Sequence, residues 1–96
     1  MDPVTVRHNA HEHRFEAELG ADIAFVHYRL ADGRIVFTHA EVPQAFEGRG
    51  IGGALVRTAL EYAKAQRLPV VPRCPFVASY IQKHPEYQAL VAQDAG

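Results

Sequence analysis

One cysteine, one methionine and no tryptophan occur among the 96 residues. A lone Cys74 cannot close an intramolecular disulfide, which excludes a disulfide-stapled scaffold and agrees with a reducing compartment. The net charge of −1 gives no basic footprint for nucleic acid and no general attraction to an anionic membrane. No apolar run approaches the ~18 residues of a membrane span. Met1-Asp2-Pro3 also lacks the basic and apolar regions of a secretory leader. Internal repeats and low-complexity segments are absent as well. Six histidines invite a metal reading, above all His8, His11 and His13, yet no second pair follows at a zinc-like spacing and Cys74 is far along the chain. No metal is expected. What remains is a cytoplasmic protein, a monomer or weak dimer, whose partners are recognised at local sites.

The pattern along the chain is strand-rich first and helical afterwards. Val4 to His8 and Arg14 to Leu19 alternate as strands around the polar turn Asn9-Ala10-His11-Glu12. Gly20-Ala21-Asp22 turns the chain into Ile23 to Leu30, and Ala31-Asp32-Gly33 carries a tight-hairpin signal before Arg34 to Val42. In that last strand Phe37, His39 and Glu41 are expected on one face, with Val36, Thr38, Ala40 and Val42 on the other. From Gly50 to Gln66 the period becomes helical. Ile51, Leu55, Ala59 and Tyr62 form an apolar stripe widened by Val56, Leu60 and Ala63. Val70-Val71 is a short strand that follows a crossover helix and so should lie parallel to the strand ending at Val42. Pro75 opens a second helix that His84-Pro85 stops. Tyr87, Leu90 and Val91 are apolar enough to dock back. The fold class is α+β: an antiparallel meander of four strands, a helix, one parallel strand and a second helix. A single domain over 1–92 is expected, with a frayed tail at 93–96.

Glycine is spent unusually at the junction of strand and helix, at Gly48, Gly50, Gly52 and Gly53. Glycine loses more conformational entropy on folding than alanine, so four together need a reason. The first turn of a helix has amides with no intrahelical partner and the positive end of the macrodipole. A backbone bare of side chains there is open to an anion, and pyrophosphate is the natural guest. A Walker A loop is excluded because Gly52-Gly53-Ala54 stands where Gly-Lys-Ser/Thr is needed. Gly48-Arg49-Gly50-Ile51-Gly52-Gly53 satisfies the dinucleotide pattern literally. However, Pro43 to Phe46 separate it from its strand, and Arg73 stands where an acid is wanted ~20 positions on. An RNA-binding GXXG loop lies between two helices, whereas a strand precedes this one.

Val42, Pro43, Phe46, Glu47, Gly48, Arg49, Gly50, Ile51 and Gly52 resemble the acetyl-CoA pyrophosphate loop of the GCN5-related N-acetyltransferases, whose pattern is Q/R-x-x-G-x-G/A between a strand and a long helix. Together with His39-Ala40-Glu41-Val42-Pro43, Pro72-Arg73-Cys74-Pro75-Phe76 and Tyr80-Ile81-Gln82-Lys83-His84-Pro85-Glu86-Tyr87, the chain looks like the short YjdJ-type branch of that superfamily. The resemblance implies a cofactor, acetyl-CoA, held by Val42, Gly48, Arg49, Gly50, Ile51, Gly52, Gly53 and Ala54. It also implies a gap between the last meander strand and the parallel strand for the pantetheine arm. Glu47 stands where the pattern has Gln or Arg, so the grip falls on backbone amides.

Four residues are candidates for chemistry. The resemblance places Tyr80 as the donor to the departing CoA thiolate. Glu41 or His39, at the end of the last meander strand, can take a proton from an ammonium directly or through water. Cys74, at the start of a helix whose dipole favours thiolate, is a candidate acyl acceptor. The implied activity is acetyl transfer to an unidentified amine or protein acceptor. The alternative is a CoA-binding or protein-interaction module without efficient catalysis, which the small size favours: the turns at Asn9 to Glu12 and Gly20 to Asp22 are too short for helices that would wall an acceptor site.

Overall fold

The computed structural model describes residues 5–92. Five strands form one sheet in the order of the sequence: β1 (Arg7–Asn9), β2 (Arg14–Leu19), β3 (Asp22–Ala31), β4 (Arg34–Glu41) and β5 (Val70–Pro72). The first four pair antiparallel, and β5 lies parallel to β4 through Ile35–Val70, Val36–Val71 and Phe37–Pro72. Two helices, α1 (Ile51–Ala65) and α2 (Pro75–Lys83), follow β4 and β5 respectively. The expected α+β meander with one parallel strand is therefore the observed fold. Neither helix is long and apolar enough to cross a membrane.

The strand expected from Val4 to His8 is shorter and later, at Arg7–Asn9; Val4 itself lies outside the described residues, as does the tail 93–96. His11 and His13 belong to the turn, not to a strand. Asn9 Oδ1 accepts from the Glu12 amide at 3.1 Å, and the His13 amide donates to the Ala10 carbonyl at 3.2 Å. The apolar segment after α2 docks back as the 3-10 turn Pro85–Leu90, and Val91 bridges to Val70.

Both helices bury their apolar sides on one face of the sheet. Phe15, Ala17, Ala24, Val26, Tyr28 and Phe37 meet Ile51, Leu55, Val56, Ala59, Leu60 and Ala63 of α1 and Val77 and Ile81 of α2 in one core. Their alternates, among them Arg14, Phe25, His27, Arg29, Val36, His39 and Glu41, contribute nothing to that core. This second face is open. One carboxylate there is nonetheless buried: Glu16 accepts hydrogen bonds from Asn9, Arg14 and Arg7. Burial pushes its pKa up, but the Asn9 and Arg14 bonds and the charges of Arg14 and Arg7 outweigh that and hold it below the usual value.

A β-bulge corrects the expected facing of β4. Tyr28 pairs with Phe37 but His27 pairs with His39, so Thr38 has no partner on β3. The extra residue rotates the strand by one face. Phe37 and Ala40 consequently both look toward the helices, while His39 and Glu41 look out from the open face; Phe37 does not share their side.

Candidate functional site

The chain from β4 to α1 is shaped by glycine. A 3-10 turn, Gln44–Phe46, follows Pro43, and Gly48 and Gly50 then adopt φ of 82° and 77°. An L side chain rarely adopts that left-handed region, so these two positions require glycine for their backbone. Gly50 is the N-cap of α1. It offers no side chain to the first turn, and the first turn holds no acidic residue. The Ala54 amide donates to the Gly50 carbonyl at 3.0 Å and is used within the helix. The amides of Ile51, Gly52 and Gly53 precede it and have no intrahelical acceptor. They form an uncapped, positively polarised end.

Gly52 has a different reason. A Cβ built there would lie 2.5 Å from Phe76 Cζ, so the Phe76 ring sits over the first turn of α1 as closely as it does only because position 52 has no side chain. A Cβ on Gly53 would meet Tyr80 Cε2 at 3.6 Å, an ordinary contact.

A cavity of about 380 Å³ lies beyond the end of β5, lined by β3 and the end of β4, the glycine turn, the start of α1 and Phe76 of α2. The last strand pair is Phe37–Pro72, after which the Cys74 amide still donates to the Phe37 carbonyl at 2.9 Å. Beyond that point the chain turns into α2, and β4 runs on to Glu41 without a neighbour on that side. The lining takes Val26 and Ala40 from the covered face, Phe25 and Glu41 from the open one, and Phe46, Gly48, Gly50 and Phe76 from the surrounding turns. It is a largely apolar cavity that also takes Glu41 from the end of β4 and Glu47 from the glycine turn.

Of the residues expected to hold a cofactor, Val42, Gly48, Gly50, Ile51, Gly52 and Gly53 line this cavity. Arg49 and Ala54 do not; the Arg49 guanidinium lies over the Phe46 ring, 5.4 Å from its centroid. Phe76, Phe46 and Phe25 line it without having been anticipated.

The four residues expected to carry chemistry are not brought together. His39 Nε2 and Glu41 Oε2 lie 3.1 Å apart on the open face, both well exposed, and Glu41 is on the rim of the cavity. Tyr80 stands one turn behind Phe76 on α2, stacked on His84 with ring centroids 3.9 Å apart, and is not among the lining residues. Burial raises its pKa, with Glu86 and Glu61 adding to this and Arg57 opposing it, so the hydroxyl is protonated at neutral pH. Cys74 is only 2% exposed and packs in the core as the N-cap of α2. A thiol so placed meets no acyl group arriving from solvent. His8, the one inward-facing member of the histidine cluster, contacts the Tyr28 hydroxyl at 2.6 Å and stacks on Phe15. Burial lowers its pKa.

A mixed sheet with one parallel edge strand, a glycine turn and an uncapped helix defines a small α+β domain. The family model described as GCN5-related N-acetyl-transferase matches residues 14–90, and the chain belongs to that family of acetyltransferases. It is similar to Protein NATD1 of Mus musculus, with 32% identity over 91 residues that span 92% of this chain and 83% of the relative. Protein NATD1 of Homo sapiens is likewise 32% identical, over 92% of this chain and 80% of its own length. Protein NATD1 of Gallus gallus is 32% identical over 92% and 83%. Acetyl-CoA is the cofactor of the family generally.

Proposed function

We propose that this protein is an acetyl-CoA-dependent N-acetyltransferase acting on an amine. The observation that carries the reading is the uncapped first turn of α1, with Gly48 and Gly50 in the left-handed region, opening onto a cavity between the end of β4 and the first turns of α1 and α2. The fit is chemical. The amides of Ile51, Gly52 and Gly53 would hold the pyrophosphate, and the apolar walls from Val42, Ala40 and Phe76 suit a pantetheine arm. When bound, acetyl-CoA supplies a thioester whose acyl carbon bonds the amine nitrogen as its carbon–sulfur bond breaks and CoA departs as thiolate. Glu41 at the rim, with His39 3.1 Å from it, takes the proton that the ammonium must lose before it can attack. Tyr80, kept protonated by burial, is the donor to the departing sulfur in this reading. Within the family we place the chain in the short YjdJ-type branch, on Pro72-Arg73-Cys74-Pro75-Phe76 and the segment from Tyr80 to Tyr87.

The second reading, a CoA-binding module without efficient transfer, is favoured by Tyr80 standing outside the cavity lining and by the open face beyond the rim. One assay separates the two. Acetyl-CoA is mixed with a panel of primary amines and free CoA thiol is followed by a colorimetric reagent. Amine-dependent thiol release that falls about 10²-fold or more in Glu41→Gln with His39→Gln supports transfer with the assigned base. Binding of acetyl-CoA without release for any amine leaves the module reading.

A further inference from the structure

A second depression, about 350 Å³ in volume, lies on the open face of the sheet away from the glycine turn. Arg29 of β3, Arg34 and Val36 of β4, and Val71 and Arg73 at β5 line it. Register explains why they gather. Arg29 pairs with Val36 and Val36 with Val71, strand alternation carries Arg34 to the same side, and Arg73 lines the depression from the turn just past β5. Three arginines thus line one depression together with two valines.

Elsewhere on this face arginines find acids: Arg7 and Arg14 both reach Glu16. Among the described residues, Arg29, Arg34 and Arg73 enter no ion pair, and Asp32 is the one carboxylate lining the depression. Like charges converging on one hollow repel one another, and an anion received there relieves the repulsion. The planar fork of arginine suits a phosphate oxygen pair, and three forks suit a dianion better than a single carboxylate.

The position of this trio gives it meaning. Along β3 the same face runs from Arg29 to His27 to Phe25, which pair with Val36, His39 and Glu41 of β4. At ~3.3 Å per residue, His39 lies about 7 Å and Glu41 about 13 Å along the strands from the level of Arg29. A single extended small molecule can span that distance. We propose that Arg29, Arg34 and Arg73 bind a phosphate group on the acceptor, whose amine is thereby presented to Glu41 at the cavity rim and to His39 beside it. The substrate class is a phosphorylated primary amine, and this rests on the acyltransferase reading above.

Two measurements test it separately from that reading. In the first, inorganic phosphate is titrated into ¹⁵N-labelled protein at constant ionic strength, with and without saturating CoA. Saturable shifts at Arg29, Arg34, Val36, Val71 and Arg73 are expected in both series, weakened at least about tenfold in Arg29→Gln with Arg73→Gln. Shifts confined to Gly48 through Gly53, or shifts at the trio that the double variant leaves unchanged, overturn the phosphate site. In the second, ω-aminoalkyl phosphates of graded chain length are compared as acceptors with the matching amino alcohols and ω-amino carboxylates. A KM at least about tenfold lower for the phosphates at one preferred length, and lost in the double variant, is the expected result. Equal kcat/KM for phosphates and alcohols overturns the proposal while leaving acyl transfer intact, and a carboxylate series matching the phosphates overturns the choice of phosphate. Transfer to no amine overturns the acceptor assignment together with the acyltransferase reading, and the phosphate titration then still decides the site.

Discussion

Replacing Gly52 with alanine sets two opposing effects against one another. Alanine favours a helix over glycine by up to ~1 kcal/mol, a gain that is smaller at the second residue of α1 than in a helix interior. The new Cβ would lie 2.5, 3.1 and 3.3 Å from Cζ, Cε1 and Cε2 of Phe76, against a comfortable carbon–carbon separation of about 3.5–4.0 Å. The ring must withdraw by roughly 1 Å. Phe76 is 46% exposed, so it can swing aside and forfeit packing without forcing the backbone apart. The single variant is therefore expected near neutral or slightly destabilised. In a Phe76→Ala background the same change should stabilise by up to ~1 kcal/mol, because nothing remains for the Cβ to displace. A double-mutant cycle in urea should give a coupling of about 1 kcal/mol. Equal effects of Gly52→Ala in both backgrounds, within ~0.3 kcal/mol, would refute the contact between the two helix starts.

Two further predictions concern groups that tie the fold together. The Tyr87 hydroxyl donates to Glu61 Oε2 at 2.7 Å and fastens the last 3-10 turn to α1; this bond and burial push its pKa up to about 12. The folded state thus keeps a proton that the unfolded chain releases near pH 10, so stability present below pH 10 is lost as pH rises toward about 12. Tyr87→Phe should remove that alkaline step and cost about 1–3 kcal/mol in denaturant titration at neutral pH. Glu16, with its folded pKa lowered, behaves oppositely: its contribution is present above its ordinary value of 4.5 and declines as pH falls through the lower folded value. Glu16→Ala should cost roughly 3–5 kcal/mol at neutral pH, since Arg14 and Asn9 would be left without their shared acceptor, and should flatten the acid limb of the stability profile.

The parts of the site that follow from local rules were legible in the residues. The period change at Gly50, the prolines bracketing Val70 and the stop at His84-Pro85 place both helices to within a residue or two. A crossover helix fixes β5 as parallel. The bulge at Thr38 was not legible, because Phe37-Thr38-His39-Ala40-Glu41 reads as unbroken strand and the slip belongs to the pairing with β3. That one residue reverses the facing of Phe37 relative to His39 and Glu41, and with it the whole composition of the open face. Phe76 reads locally as the surface of a short helix; its place in the cavity is set by where β5 ends, a tertiary fact. Burial of Cys74 likewise depends on β4 accepting its amide at Phe37. The arginine trio is scattered over β3, β4 and the turn after β5, at 29, 34 and 73, and the pairing of those strands brings it together.

The central claim is that the glycine turn and the bare first turn of α1 receive the pyrophosphate of acetyl-CoA. Calorimetric titration of acetyl-CoA into the parent protein and into Gly50→Asp tests it most directly. The variant puts a carboxylate beside the amides of Ile51, Gly52 and Gly53, at a left-handed position that aspartate tolerates better than most residues. Circular dichroism checks that it stays folded. Saturable binding to the parent, weakened at least about tenfold in the variant, is the predicted result. No binding by the folded parent, or equal binding by both, would contradict the account and leave Gly48 and Gly50 as turn residues and Gly52 as a packing position against Phe76.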